Sequence, residues 1–258
     1  MGRRRAAPEV IAATGDLTVL RDPDRPSGRL LRQRAMEASY VDLADPRHLE
    51  FDYLRRMRDL VLAAGARRVV HVGGAACALA RALAAERPDD RQEVIEVDAD
   101  VVELARAHLG LRRAPGLKVR VGDGRAVLAA RPDGSADAVL IDAFVGAQVP
   151  RHLVTLQALH DLARVAGLVA VNVVDTRAMP GATAIAAGLE EAFPHVLALG
   201  SPPMLAKRRG GNVILAGAYE VPPLDRLRSR AAADRSPAGV LAPAEMAAFI
   251  GGTPPWRD

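Results

Sequence analysis

Four short runs in this 258-residue chain carry chemically capable residues at spacings that place them at the ends of successive strands. Gly73-Gly74-Ala75-Ala76-Cys77 is a small-residue turn between an apolar run and a helical stretch, so its backbone can approach a ligand and offer free N–H groups. Glu96-Val97-Asp98 ends the next apolar run with a carboxylate that can accept two hydrogen bonds from vicinal ribose hydroxyls. Asp98 or Asp100 can equally cap the following helix, but capping does not account for Glu96, which lies inside the strand pattern. Gly122-Asp123-Gly124 offers Asp123 to an exocyclic amino group such as that of adenine, or else as an ordinary helix cap. Asp142-Ala143-Phe144 closes the fourth run with a carboxylate followed by an aromatic ring. Ligands of open parallel sheets bind beyond the carboxyl ends of the strands. One adenosine lying across the sheet therefore unites Gly73, Gly74, Glu96, Asp98, Asp123, Gly124 and Asp142 as a cofactor-binding set.

The elements that must position these residues are legible in the periodicity. Continuous apolar runs over 69–72, 93–97, 117–121, 138–141 and 168–173 alternate with helical stretches over 76–86, 100–109, 125–130, 153–165 and 182–192. Strands that are apolar throughout, separated by helices, mean a parallel sheet covered on both faces. Two further strands over 195–199 and 212–216, joined by a loop containing Lys207-Arg208-Arg209, close the sheet as a hairpin. That ending is the arrangement of class I S-adenosylmethionine (AdoMet) methyltransferases. Ahead of the sheet, apolar runs over 17–20 and 29–32 flank a turn-rich segment and predict a β-hairpin. A third short strand over 38–43 and a helix over 46–64 follow. The expected organisation is a flexible basic tail (1–15), a β-rich segment with its helix (16–64), an AdoMet-binding Rossmann-like domain (65–219) and a peripheral C-terminal tail (220–258).

Composition bounds the partners. Half of the residues are hydrophobic and 26% are charged, and no apolar run reaches the roughly 20 residues of a membrane span. The formal charge is +4, and all the basic residues but Lys118 and Lys207 are arginines, scattered among acids. Scatter of this kind is a solvated surface, and 3% aromatic residues leave little for base stacking, which argues against nucleic acid. Cys77 is the sole cysteine, so an intrachain disulfide is excluded and a reducing, cytoplasmic location is expected. Pro8 and Glu9 stand where a signal peptide would place its apolar stretch. The six histidines show no paired ligand spacing on one helix, so no metal is expected.

From about Gly15 to Gly217 the chain resembles the spermidine synthase-like branch of the class I methyltransferase superfamily. Val94-Ile95-Glu96-Val97-Asp98 is similar to the family's ribose-binding strand end. Val121-Gly122-Asp123-Gly124-Arg125 is similar to its adenine-binding turn, and Asp137-Ala138-Val139-Leu140-Ile141-Asp142 to the strand bearing its catalytic aspartate. Leu49-Glu50-Phe51-Asp52-Tyr53 resembles the family's Asp-Glu-x-x-Tyr-His-Glu helix, which generic methyltransferases lack. The resemblance implies AdoMet or decarboxylated AdoMet as donor and a small acceptor such as a polyamine. It makes Asp142 the base for the attacking amine, and puts Tyr40, Glu50, Tyr53 and Phe144 on the acceptor side. Related proteins often pair, which points to a homodimer. The chain departs from the family at Ala76, Val145 and Leu54, which replace two acids and a histidine. These losses leave methyl and aminopropyl transfer both open. Ala76 and Val145 also motivate a second reading, a catalytically silent scaffold that keeps the fold, and the basic tail with the Lys207-Arg208-Arg209 loop gives a third, an RNA methyltransferase.

Overall fold

A computed structural model describes residues 8–114 and 116–258. The chain opens with an antiparallel sheet whose strands β1 (Val10–Thr14), β2 (Leu17–Arg21), β3 (Gly28–Gln33) and β4 (Met36–Asp42) pair in chain order. Gly15, at φ +53°, makes the two-residue turn between β1 and β2. The hairpin expected from the sequence is β2–β3. Residues 10–14, expected to be tail, instead form β1, because the ladder with β2 satisfies their backbone and Ile11 and Ala12 pack against the core. The run Arg3-Arg4-Arg5 lies outside the described residues.

Helix α1 (Asp52–Ala64) follows and stops at Gly65, whose φ of +69° lets its N–H reach back to the carbonyls of Val61 and Leu62. It begins later than the sequence periodicity predicts. Arg55 donates to the carbonyls of Leu49 and Glu50 and ties that stretch down ahead of the helix. The larger unit then alternates β5 (Arg68–Gly73), α2 (Ala78–Glu86), β6 (Arg91–Glu96), α3 (Ala99–His108), β7 (Leu117–Val121), α4 (Gly124–Ala129), β8 (Ala136–Asp142), α5 (Leu156–Val165), β9 (Ala166–Asp175) and α6 (Pro180–Ala192). It closes with β10 (His195–Gly200), α7 (Pro202–Leu205), β11 (Gly211–Ala218), α8 (Leu224–Ala233), β12 (Gly239–Leu241) and α9 (Pro243–Ile250).

The strand order is β12-β10-β11-β9-β8-β5-β6-β7. The five strands from β7 to β9 are parallel, and β11 inserts antiparallel between β9 and β10. This is the mixed α/β, class I methyltransferase-like sheet anticipated from the apolar runs, with a separate N-terminal antiparallel sheet. Two apolar layers flank it, one under α1, α2, α3 and α8, the other under α4, α5, α6 and α9. No helix among the described residues is long and apolar enough to cross a membrane.

The segment beyond residue 219, expected to be peripheral, is part of the body. Strand β12 adds to the sheet edge against β10. Asp234 on the loop after α8 pairs with Nε and Nη2 of Arg55, and Asp258 pairs with Arg125. Three-residue strands and Arg/Ala-rich helices carry too little periodicity to be seen in sequence, and their partners lie far away along the chain.

Candidate active site

Strand register gathers the predicted residues at one end of the sheet. Gly73 of β5 lies beside Asp142 of β8, and Glu96 ends β6 beside Val121 of β7. Gly73 must be glycine: its φ is +77°, and a Cβ there would stand 2.6 Å from the Asp142 carbonyl oxygen. Gly74, at φ +91°, faces open space and donates its N–H to that same carbonyl at 3.0 Å. Ala75 and Cys77 also take positive φ, of 48° and 60°. The turn is thus held in a conformation that L-residues rarely adopt, a common feature of ligand clamps.

Glu96 is buried, and burial raises its pKa despite backbone donors from Asp98, Ala75 and Val97. By accepting from Ala75 it joins the glycine turn to the end of β6. Asp98 caps α3, its Oδ1 accepting from the N–H groups of Asp100 and Val101. Asp123 caps α4, accepting from Ala126 at 2.9 Å on Oδ1 and meeting His152 Nε2 at 3.0 Å on Oδ2. The Ala126 bond, ahead of His152, lowers its pKa. Gly124 serves packing, since a Cβ there would collide with Val72.

Asp142, at the end of β8, is held by two side-chain donors. Its Oδ1 accepts from Asn172 Nδ2 at 2.8 Å, and the Tyr53 hydroxyl donates to the same carboxylate. Burial raises its pKa to about 6 against the lowering effect of these two donors. Asn172 is fully buried on β9, and its own oxygen accepts from Asn212 Nδ2 of β11 at 3.1 Å. This amide relay went unrecognised in the sequence, although one Asn in an otherwise apolar strand is a signal that could have found it. A small pocket reaches from Asp142 and Tyr53 to Gly73, Gly74 and Cys77, and Ser39 of the N-terminal sheet helps to line it.

Three expected acceptor-side residues are placed elsewhere. Tyr40 donates to Asp22 at 2.6 Å and meets His48 edge-on, which binds it within the N-terminal sheet. Glu50 pairs with His48 and Arg235. Phe144 packs against the apolar layer under α4, α5 and α6. None of the three lines the pocket at Asp142.

Comparison with known proteins adds likeness along most of the chain. No family model matches. A curated polyamine aminopropyltransferase of Vibrio vulnificus is 27% identical over 126 residues, which are 48% of this chain and 42% of that protein. The match thus spans less than half the length of that relative. The crystal structure of a probable spermidine synthase from Corynebacterium glutamicum superposes with a TM-score of 0.87 at 29% identity, covering 94% of this chain and 92% of that one. The spermidine synthase of Thermotoga maritima shares the fold at 16% identity, with a TM-score of 0.66 over 94% of this chain and 87% of its own.

Proposed function

We propose, from the premise that the chain is spermidine synthase-like in sequence and fold, that it is a transferase using AdoMet or decarboxylated AdoMet. In this reading Glu96 takes the ribose hydroxyls, the Gly122–Gly124 turn takes the adenine, and the Gly73–Gly74 turn lies against the rest of the donor. Asp142 receives the acceptor. The observation that carries the reading is Asp142 itself, a carboxylate at a strand end beside a strained glycine turn, oriented by Tyr53 and Asn172.

The chemistry is a displacement. The lone pair of an amine attacks the carbon next to the sulfonium, the C–S bond breaks, and its electron pair stays on sulfur as a neutral thioether. Asp142 takes the proton released by the new secondary or tertiary ammonium. Alignment of amine, carbon and sulfur near 3 to 3.5 Å is the main contribution of such a site, with proton transfer adding roughly 10²- to 10⁴-fold.

Calorimetric titration with AdoMet, decarboxylated AdoMet and methylthioadenosine should give binding of at least one. Glu96→Gln should weaken that binding by about 10- to 100-fold, as the loss of a hydrogen bond to a charged group implies, with the fold retained by circular dichroism. Silence from all three ligands sinks the reading. Binding without turnover of any labelled donor leaves the silent scaffold in its place.

A further inference from the structure

The acceptor half of the cleft is short of free negative charge. Asp52 pairs with Arg56, and Glu50 with His48 and Arg235. Asp175, at the end of β9, accepts from the Thr176 N–H on Oδ1 and the Ala182 N–H on Oδ2 and keeps its charge, one carboxylate against the three guanidinium groups that follow. Ala76 is fully buried, and Val145, 75% exposed on the loop after β8, is apolar. Asp142 is likewise held by neutral donors only.

Positive charge lies at the same end of the sheet. Arg177 follows β9, and Arg208 and Arg209 precede β11. These two segments touch, since Gly211 pairs with Asp175 and a Cβ on Gly210 would stand 2.6 Å from the Asp175 carbonyl oxygen. The Asp142–Asn172–Asn212 relay runs from the reacting carboxylate to within three residues of Arg209. Arg177, Arg208 and Arg209 are exposed, and none has an acidic partner among the described residues. Lys207, by contrast, sits over the Phe249 ring.

A diamine or polyamine with its nucleophilic nitrogen at Asp142 would carry a second ammonium toward this rim, where like charge opposes it. Guanidinium groups favour carboxylate and phosphate, which they can engage through two parallel hydrogen bonds. We propose that the acceptor is an amine that also bears an anionic group, with the amine at Asp142 and the anion at Arg177, Arg208 and Arg209. This inference rests on the transferase reading above and specifies its substrate class.

The test is titration of the full chain, saturated with methylthioadenosine, with putrescine, ornithine and phosphoethanolamine. Ornithine or phosphoethanolamine should bind at least tenfold more tightly than putrescine, and which of the two binds better identifies the anion as carboxylate or phosphate. The preference should fall with added salt and vanish in the Arg177→Gln, Arg208→Gln, Arg209→Gln triple variant. Affinity for methylthioadenosine should stay within twofold in that variant. Tighter binding of putrescine, binding of none of the three amines, or an undiminished preference in the triple variant overturns the inference while leaving the donor site standing. Should methylthioadenosine fail to bind, the same titration is run on the chain saturated with whichever of AdoMet and decarboxylated AdoMet binds, and silence from all three of these nucleosides removes both readings.

Discussion

Asp142 sets the pH behaviour expected of the molecule. Its carboxyl is raised from the ordinary 3.8 to about 6 by burial. Below about pH 4 the folded and unfolded chains both hold its proton, and its cost to stability is absent. Between about pH 4 and pH 6 the unfolded chain gives up this proton while the folded state keeps it, so stability falls across that window by at most about 3 kcal/mol and is level above it. Asp142→Asn should therefore raise the Tm at pH 7.5 while cutting turnover by roughly 10²-fold or more. With the unmodified chain, the kcat/KM of the proposed transfer should climb with unit slope to a plateau above about pH 6. A flat profile between pH 5 and 8, or a lower Tm in the variant, contradicts this role. Glu96 and Asp142 stand out in sequence because each is a carboxylate ending an apolar run, and Tyr53 because it stands in a specific motif. Asp98 and Asp123 fit two purposes at once, and the structure shows both making the capping bonds. The partners of Tyr40 and Glu50, Asp22 and Arg235, stand 18 and 185 residues away along the chain, beyond any local pattern.

At the scale of elements, α1 is held from both sides. Its first turn supplies Tyr53 to Asp142, and Arg55 two residues on is clamped by Asp234 at 2.7 and 2.9 Å. The Arg55 side chain is 9% exposed, so Asp234→Ala strands a buried cation. The expected cost is about 3 kcal/mol, the low end for breaking a buried pair, because the carbonyls of Leu49 and Glu50 still accept from the guanidinium. Urea denaturation measures it, and a change below about 1 kcal/mol would refute the clamp. Hydrogen bonding to Arg55 also lowers the Asp234 pKa against the effect of burial. Its contribution is thus full above the ordinary carboxylate range and is lost as pH falls through the lowered value. The strands and helices of the large sheet were readable from period alone. The start of α1 was not, since Leu49 has helical spacing while its carbonyl is tied to Arg55 outside the helix.

For the whole molecule, the parallel order and the terminal antiparallel pair followed from alternation of apolar runs and helices. Strands β1 and β12 did not, because each is short and is made a strand by a neighbour's ladder. The chain's one thiol offers a way to watch these parts move. Cys77 lines the pocket, is 3% exposed, and has its pKa pushed up to about 12 by burial and by Glu96. A thiol reagent in solution reaches it only in the fraction of time that the glycine turn swings open. Under those conditions the labelling rate is a clock for local opening, equal to the free-thiol rate multiplied by the opening equilibrium. Saturating methylthioadenosine should slow that clock at least tenfold, and Glu96→Gln, which loosens the tie to Ala75, should quicken it. A rate indifferent to the nucleoside means that ligand binding leaves the turn as free to open as before.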